Sequence, residues 1–246
     1  LNHISAYRFY DGILEEVFSN LQSNGQNIIN IKPVEMRGNV YFMINAENVL
    51  PGLRLENGVT TEEQFLSLRA ETADMMKNGF LMTGMTTITR QTSAVEIALK
   101  RSLARIDIKS PMQGIEVNSV KLKKVCTSGY DGGAGGSVDA ETVDLIKDYG
   151  MNPLSVSEEN LFYVPQQEGK DFEVEIMATL AGAWHRLKTV LPEISRNKVY
   201  TLNVYAEGSA LRVEVNEGNW VEGNGSASEE LVNALVDIDN SSLEDG

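Results

Sequence analysis

Side chains that usually perform catalysis or bind metals are sparse in this chain. It contains two histidines and one cysteine, so a histidine-rich metal site and an intrachain disulfide are both excluded. Ser195 and Lys198 have the Ser-x-x-Lys spacing of penicillin-binding enzymes, but Lys198 enters a predicted strand and cannot lie one helical turn from the serine. We therefore predict no catalytic residue, no metal ligand and no cofactor, and we do not expect an enzyme.

Glycine-rich and charged stretches argue against phosphate and nucleic-acid ligands. The glycine run at 128–136 lacks the Gly-Lys-Ser/Thr ending of a phosphate-binding loop. The chain has 35 acidic and 21 basic residues and a formal net charge of −14, whereas nucleic-acid binding needs clustered lysine and arginine. In the one dense basic stretch, 121–124, lysines alternate with apolar residues, which is typical of the solvated face of a strand. No nucleic-acid partner is expected.

Two tryptophans remain as candidates for ligand contact, because an exposed indole can stack on a sugar ring. Trp184 follows Ala-Gly-Ala in a predicted hairpin turn and is kept as a candidate ligand residue. Trp220 follows a predicted strand, and packing is favoured over recognition there. The chain has no apolar run of the ~20 residues that are needed to span a bilayer.

Most of the chain shows the period-two alternation of half-buried strands. In the clearest case, 172–180, apolar residues occupy every second position. Between Ile97 and Ile108 the apolar parity changes, which predicts a bulge or bend near Leu103 and Ala104. The other alternating stretches are 4–9, 120–125, 199–206 and 211–215. Many short strands with turn signals predict a mainly β protein built from sandwiches.

Three stretches favour short helices within this β framework. Apolar residues at helical spacing occupy 14–21, after the turn signal Asp11-Gly12. Thr60 or Thr61 before two glutamates is an N-cap signal for a helix that ends at Asn78-Gly79. A third helix is predicted over 139–149, following the glycine run.

The tail from Ser226 onward fits two structures equally well. Val232, Ala234, Val236 and Ile238 would form one face of a strand. Apolar residues at 231, 234, 235 and 238 would equally form a helical stripe behind a capping box that begins at Ser226. The local pattern leaves the two alternatives open.

The order and spacing of several short motifs resemble the fimbrillin family, whose members are pilus subunits of Gram-negative gut and oral anaerobes. The family pattern has a Met-x-Gly at the end of the first domain, an arginine-bearing strand opening the second, an Arg-Asn before a long late strand, and a late tryptophan. The matching residues are Met82, Gly84, Arg101, Ala104, Arg105, Arg196, Asn197 and Trp220.

This resemblance implies two β-sandwich domains of transthyretin-like or Greek-key type with a few short helices. We place an N-terminal domain with helical insertions at 1–88, a C-terminal domain at 89–225 and a tail at 226–246. Fimbrillins assemble when a strand from one subunit fills a groove in the next. Val232, Ala234, Val236 and Ile238 are therefore the candidate donor residues.

The implied function is that of a structural subunit of a cell-surface pilus, or fimbrium, which polymerises by strand exchange and supports adhesion. Its partners would be other pilus subunits and, for adhesion, a host protein or glycan. The family resemblance also implies export to the cell surface and outer membrane, with membrane contact only through a lipid anchor on the precursor. Two alternatives stay open: a tip or anchor subunit, and a surface carbohydrate-binding lipoprotein.

Overall fold

The computed structural model describes most of the chain as β-strands. In the described residues the chain forms 17 strands and three short helices, which divide into two compact units. The prediction of a mainly β protein is confirmed. The described ranges are 3–24, 26–50, 53–109, 114–130, 142–167, 172–191, 193–220 and 232–238.

The strands and helices follow one another in short segments. The helices are α1 (Ala46–Val49), α2 (Glu62–Leu66) and α3 (Thr72–Asn78). The strands are β1 (Ile4–Tyr10), β2 (Ile13–Leu21), β3 (Ile28–Ile31), β4 (Gly38–Ile44), β5 (Arg69–Glu71), β6 (Met82–Ile88), β7 (Ala94–Arg101), β8 (Leu103–Lys109), β9 (Ile115–Cys126), β10 (Ser128–Tyr130), β11 (Thr142–Asp148), β12 (Glu158–Pro165), β13 (Phe172–Leu180), β14 (Ala183–Leu191), β15 (Lys198–Glu207), β16 (Ala210–Asn219) and β17 (Val232–Ile238).

The first unit contains the described residues up to Ser102 together with Tyr130 and β17. Its seven-stranded sheet has the order β2-β1-β4-β6-β7-β17-β3, and every neighbouring pair is antiparallel except β17 and β3, which are parallel. A bridge between Ser23 and Ile29 brings β3 beside the end of β2, so the sheet curls around its apolar inner face. The core of this unit lies inside that curl.

The outer face of the same sheet is covered by α2. Phe65 of α2 packs against three aromatic rings on β1 and β4, with centroids 5.0–5.2 Å apart. The helix begins at a capping box in which Thr61 and Gln64 exchange hydrogen bonds, as the sequence predicted for this N-cap. Tyr41 donates a 2.6 Å hydrogen bond to Glu62, which fixes the first turn of the helix against β4.

The second unit is a two-sheet sandwich. One sheet has the order β11-β9-β13-β14 and the other β12-β8-β15-β16, with an apolar core between them. Residues at every second position of β13 and β15 point into this core, including Ile176 and Leu202, both 0% exposed. The alternation that predicted these strands therefore reflects burial on one face.

Two of the predicted helices are wrong. The segment 13–21 is strand β2, because Asp11 and Gly12 adopt φ values of 51° and 75° and join β1 to β2 in a tight hairpin. The segment 142–148 is strand β11, which pairs along β9. The helix predicted from Thr60 to Gly79 is split into α2 and α3 by the short strand β5. Residues 131–141, which include most of the glycine run, lie outside the described part of the chain.

The two compact units divide the chain after Ser102. The predicted boundary at residue 88 gave β7 to the second domain, but β7 pairs with β6 and β17 in the first unit. The parity change near Leu103 and Ala104 predicts a bulge or bend. It marks instead the point where one strand ends in the first core and the next begins in the second.

Candidate functional site

The most informative feature of the first unit is the position of β17 between two strands from distant parts of the chain. β17 runs antiparallel to β7, from the Val232/Leu99 pair to the Asp237/Ala94 pair. On its other edge it runs parallel to β3, from the Leu235/Ile28 pair to the Ile238/Ile31 pair. A segment from residues 232–238 therefore completes a sheet whose other strands all lie before residue 102.

Both neighbours of β17 depend on it for their main-chain hydrogen bonds. Among the described strands, β3 forms a ladder with β17 alone, apart from the single bridge at Ile29. The pairing of β7 with β6 covers only Lys100 and Arg101, so its residues 94–99 pair with β17. Removing β17 would leave a gap about 10 Å wide, twice the spacing between strands. We call the space between β7 residues 94–99 and β3 residues 28–31 the strand slot.

The side chains of β17 alternate between the core and the surface. Ala234, Val236 and Ile238 are 0%, 0% and 3% exposed and belong to the core cluster of the unit. Leu235 and Asp237, between them, are exposed. Burial of the eight side-chain carbons on the inner face contributes about 6 kcal/mol to the stability of the unit, at about 0.8 kcal/mol for each carbon.

The sequence left a helix and a strand open for the tail, and the structure shows a strand for 232–238. Residues 226–231 and 239–246 of the predicted tail lie outside the described ranges.

Three of the residues that carried the family resemblance lie in β6 and β7, on the β7 side of the strand slot. Met82 pairs with Arg101 across β6 and β7, and both are buried. A Cβ on Gly84 would lie 2.8 Å from the carbonyl oxygen of Ala98 and 3.1 Å from Leu99 Cδ2. Glycine at this point therefore allows β7 to approach β6 closely. It also sets the position of β7, the strand with which β17 pairs.

The other family-pattern residues lie together in the second unit, where their contacts are structural. Asn197 has φ 61°, its N–H donates to the carbonyl oxygen of Leu103, and its own carbonyl accepts from the N–H of Trp220. The Arg105 guanidinium lies 5.6 Å from the Trp220 ring and pairs with Asp107 at 2.8 Å. The remaining two are Ala104, which is fully buried, and Arg196, whose N–H points to Gln166 at 3.5 Å.

The two tryptophans have opposite environments. Trp220 is 4% exposed and stacks on Tyr163 with 5.5 Å between centroids, so it packs within the sandwich. Trp184 is 64% exposed and follows the Ala181-Gly182 turn of the β13–β14 hairpin. Its role as a ligand contact stays a prediction.

A ladder of ion pairs crosses the outer face of the β11-β9-β13-β14 sheet. Lys121 pairs with Asp144 at 2.7 Å, and Lys123 reaches Glu175 at 3.2 Å. Arg186 lies 2.7 Å from the same Glu175 carboxylate. The Arg186 hydrogen bond, with help from Lys123, lowers the pKa of Glu175 to about 2 despite partial desolvation. The basic stretch 121–124 thus contributes lysines to the charged outer face of a strand.

The described residues contain no cluster of three or more histidine, cysteine or carboxylate side chains placed to hold a metal ion. In the same part of the chain, no helix is long and apolar enough to cross a membrane. Among the described residues, the arrangement that stands out is the strand slot together with the segment that fills it.

Solved structures of fimbrial proteins share this fold. No family model matches the chain, and no curated protein matches it in sequence. A candidate cell adhesion protein from Parabacteroides distasonis aligns with a TM-score of 0.59 at 16% identity, covering 89% of this chain and 88% of that one. The tip fimbrial protein Mfa3 from Porphyromonas gingivalis, solved with a C-terminal truncation, aligns at 0.54 with 12% identity and coverage of 89% and 94%.

A fimbrial protein from Bacteroides vulgatus aligns at a TM-score of 0.53 with 12% identity, covering 89% of this chain and 93% of that one. At identities this low the likeness concerns the fold. The fold that the fimbrillin resemblance implied is confirmed.

Proposed function

We propose that this chain is a structural subunit of a cell-surface fimbrium that assembles by strand exchange. The observation that carries the proposal is the position of β17, which alone bridges β7 and β3 among the described strands of the first unit. An extended segment from a neighbouring subunit can enter such a slot and make the same main-chain hydrogen bonds. The fold shared with fimbrial proteins supports the same assignment.

The exchange needs no new contacts. In the closed monomer, Ala234, Val236 and Ile238 fill the slot of their own chain. In a filament the same three residues of one copy fill the slot of the next, so the buried surface is unchanged. The balance between closed and exchanged states then depends on subunit concentration against the effective concentration of the chain's own tail. Concentrated subunits favour the filament.

The proposed setting follows from this role. The subunit is exported to the cell surface, its precursor carries the lipid anchor, and its partners are other fimbrial subunits of the same or a related kind. It performs no catalysis. Stalk, tip and anchor positions differ in whether a subunit gives a strand, accepts one, or does both.

One observation favours a second role in ligand contact. Trp184 exposes 64% of its surface at the end of a hairpin, which is unusual for a tryptophan in a packed sandwich. An exposed indole can stack on a sugar ring, and such a contact suits an adhesive tip or a carbohydrate-binding surface lipoprotein. Binding of a glycan array by the wild-type chain, lost in Trp184→Ala, would support it.

Strand exchange can be tested with a disulfide trap between two full-length variants. Glu96 and Leu235 are exposed and lie opposite each other on β7 and β17. One variant carries Glu96→Cys and the other Leu235→Cys, both in a Cys126→Ala background and with tags of different mass. A mixed disulfide forms only when the tail of the second variant enters the slot of the first, because cross-strand partners have Cβ atoms about 4.5–5.5 Å apart.

A matched control moves the cysteine by two residues on the same face. Asp237→Cys replaces Leu235→Cys, and it lies opposite Ala94 instead of Glu96. The pair is then diagonal, at about 7–8 Å, too far for a disulfide without backbone movement. We expect the mixed disulfide for Leu235→Cys alone, at a yield that rises with concentration. Absence of the mixed disulfide after joint refolding at high concentration would refute strand exchange.

A further inference from the structure

We infer that the strand slot selects its donor by the size of the side chain that faces Ile97, a position that accepts alanine and rejects a larger residue. The partner that fits is the 232–238 segment of a second copy of this chain. This inference rests on the proposed strand exchange, and it adds a rule for which strands the slot accepts and in which register.

The cross-strand pairs of β17 define the rule. Ala234 lies opposite Ile97 on β7, and both are buried in the same cluster. Val236 lies between Val95 on β7 and Ile29 on β3. The smallest donor side chain thus faces Ile97, and partners directly opposite have Cβ atoms about 4.5–5.5 Å apart.

The last buried donor position carries the largest donor side chain. Ile238 pairs with Ile31 on β3, whereas the β7 ladder with β17 ends at the Asp237/Ala94 pair. The Ile238 N–H still donates to the carbonyl oxygen of Ser93 at 3.0 Å, so this position also has a neighbour on the β7 side.

The Ala234 position has no spare room for a larger side chain, because Ala234 is 0% exposed within the apolar core and its neighbour β7 cannot shift towards β6. The carbonyl oxygen of Ala98, next to Ile97, lies 2.8 Å from the point where a Cβ on Gly84 would be. β7 is therefore already at contact distance from β6 at this level. A larger side chain than Ala234 must overpack the core, because protein interiors relax poorly around added methyl groups.

Shifts of register are excluded by the same side chains. A slip of two residues in one direction places Val236 against Ile97 and Ile238 where Val236 was, so both sites are overfilled. A slip of two residues in the other direction places Ala234 where Val236 was and leaves a cavity there. A slip of one residue turns the Asp237 carboxylate into the apolar core, where an unpaired charge is strongly destabilising. In the native register, β17 pairs with both β7 and β3 and keeps its apolar side chains in the core.

The test uses the disulfide trap with a larger side chain in the donor and a smaller one at the facing position of the acceptor. The donor chain carries Leu235→Cys with Ala234→Ile, and the acceptor chain carries Glu96→Cys with Ile97→Ala. We expect the Ala234→Ile donor to enter the unmodified slot at least tenfold less than the native donor. The same donor should enter the Ile97→Ala slot at least tenfold better than it enters the unmodified one.

A milder pair and a surface control complete the design. Ala234→Val and Ile97→Val change the two sites by fewer carbons, and should show the same pattern of loss and recovery if the larger changes prevent folding. Asp237→Asn alters an exposed donor residue and should leave trapping within twofold of the native donor.

The outcomes separate the rule from the proposed function. If native and Ala234→Ile donors enter the unmodified slot equally, the size rule is wrong, although strand exchange stands. Loss of entry without recovery in the Ile97→Ala slot also contradicts the rule. If even the native donor forms no mixed disulfide, the proposed function itself fails.

Discussion

Val236 is the residue at which the slot can be weakened most cleanly, because it is fully buried and pairs with both neighbouring strands. Val236→Ala removes two methyl groups, which amounts to about 1.6 kcal/mol of transfer free energy at about 0.8 kcal/mol each. The cavity left behind raises the expected loss to roughly 2–3 kcal/mol. Leu235→Ala, one residue away and 40% exposed, should cost no more than about 0.5 kcal/mol.

The assay is native-state hydrogen exchange followed by mass spectrometry on the full-length monomer. A loss of roughly 2–3 kcal/mol in the opening free energy predicts exchange about 30–150 times faster in peptides covering 28–31 and 94–99. Peptides from β13, in the second unit, should not change. The reasoning is refuted if Val236→Ala and Leu235→Ala accelerate exchange equally, or if β13 responds as strongly as β3 and β7.

Three further predictions concern the rest of the fold. Gly84→Ala should destabilise the first unit by roughly 1–3 kcal/mol in denaturant unfolding, since its Cβ meets backbone at 2.8 Å, whereas Gly218→Ala, with open space around it, should be nearly neutral. Trp220→Ala should cost roughly 3–5 kcal/mol and Trp184→Ala under about 0.5 kcal/mol, measured as the free energy of unfolding of the second unit. Because the pKa of Glu175 is lowered to about 2, its ion pairs stabilise the fold above its unfolded pKa of about 4.3 and lose that effect as pH falls toward 2. The difference in Tm between the wild type and Glu175→Gln should therefore shrink from pH 5 to pH 2, and a constant difference would contradict the ladder.

Strand alternation made much of the second unit predictable. The segment 172–180 was predicted and is observed as Phe172–Leu180, because one of its faces is buried in a single core along its whole length. β2 was missed because its apolar spacing also fits a helix, although the Asp11-Gly12 pair before it is a strong hairpin signal. In this segment the hairpin turn decides the secondary structure, although the spacing of the apolar residues also fits a helix.

The slot itself could not be predicted from local pattern. The 232–238 segment fits a strand and a helix equally by spacing, and the choice is made by β7 and β3, which lie more than 130 residues earlier in the chain. The sequence did identify Ala234, Val236 and Ile238 as one face, and it identified Gly84 as part of a family motif. What it lacked was the strand order that places them against each other.

The most direct test of strand exchange is a single full-length variant that carries Glu96→Cys, Leu235→Cys and Cys126→Ala. Closure by the chain's own tail gives an intramolecular disulfide, and exchange gives disulfide-linked chains of increasing length, so one non-reducing denaturing gel counts both states. We predict monomers at low concentration and, at high concentration, a ladder that collapses on reduction. A monomer at every concentration, after both direct incubation and joint refolding, would contradict assembly by strand exchange.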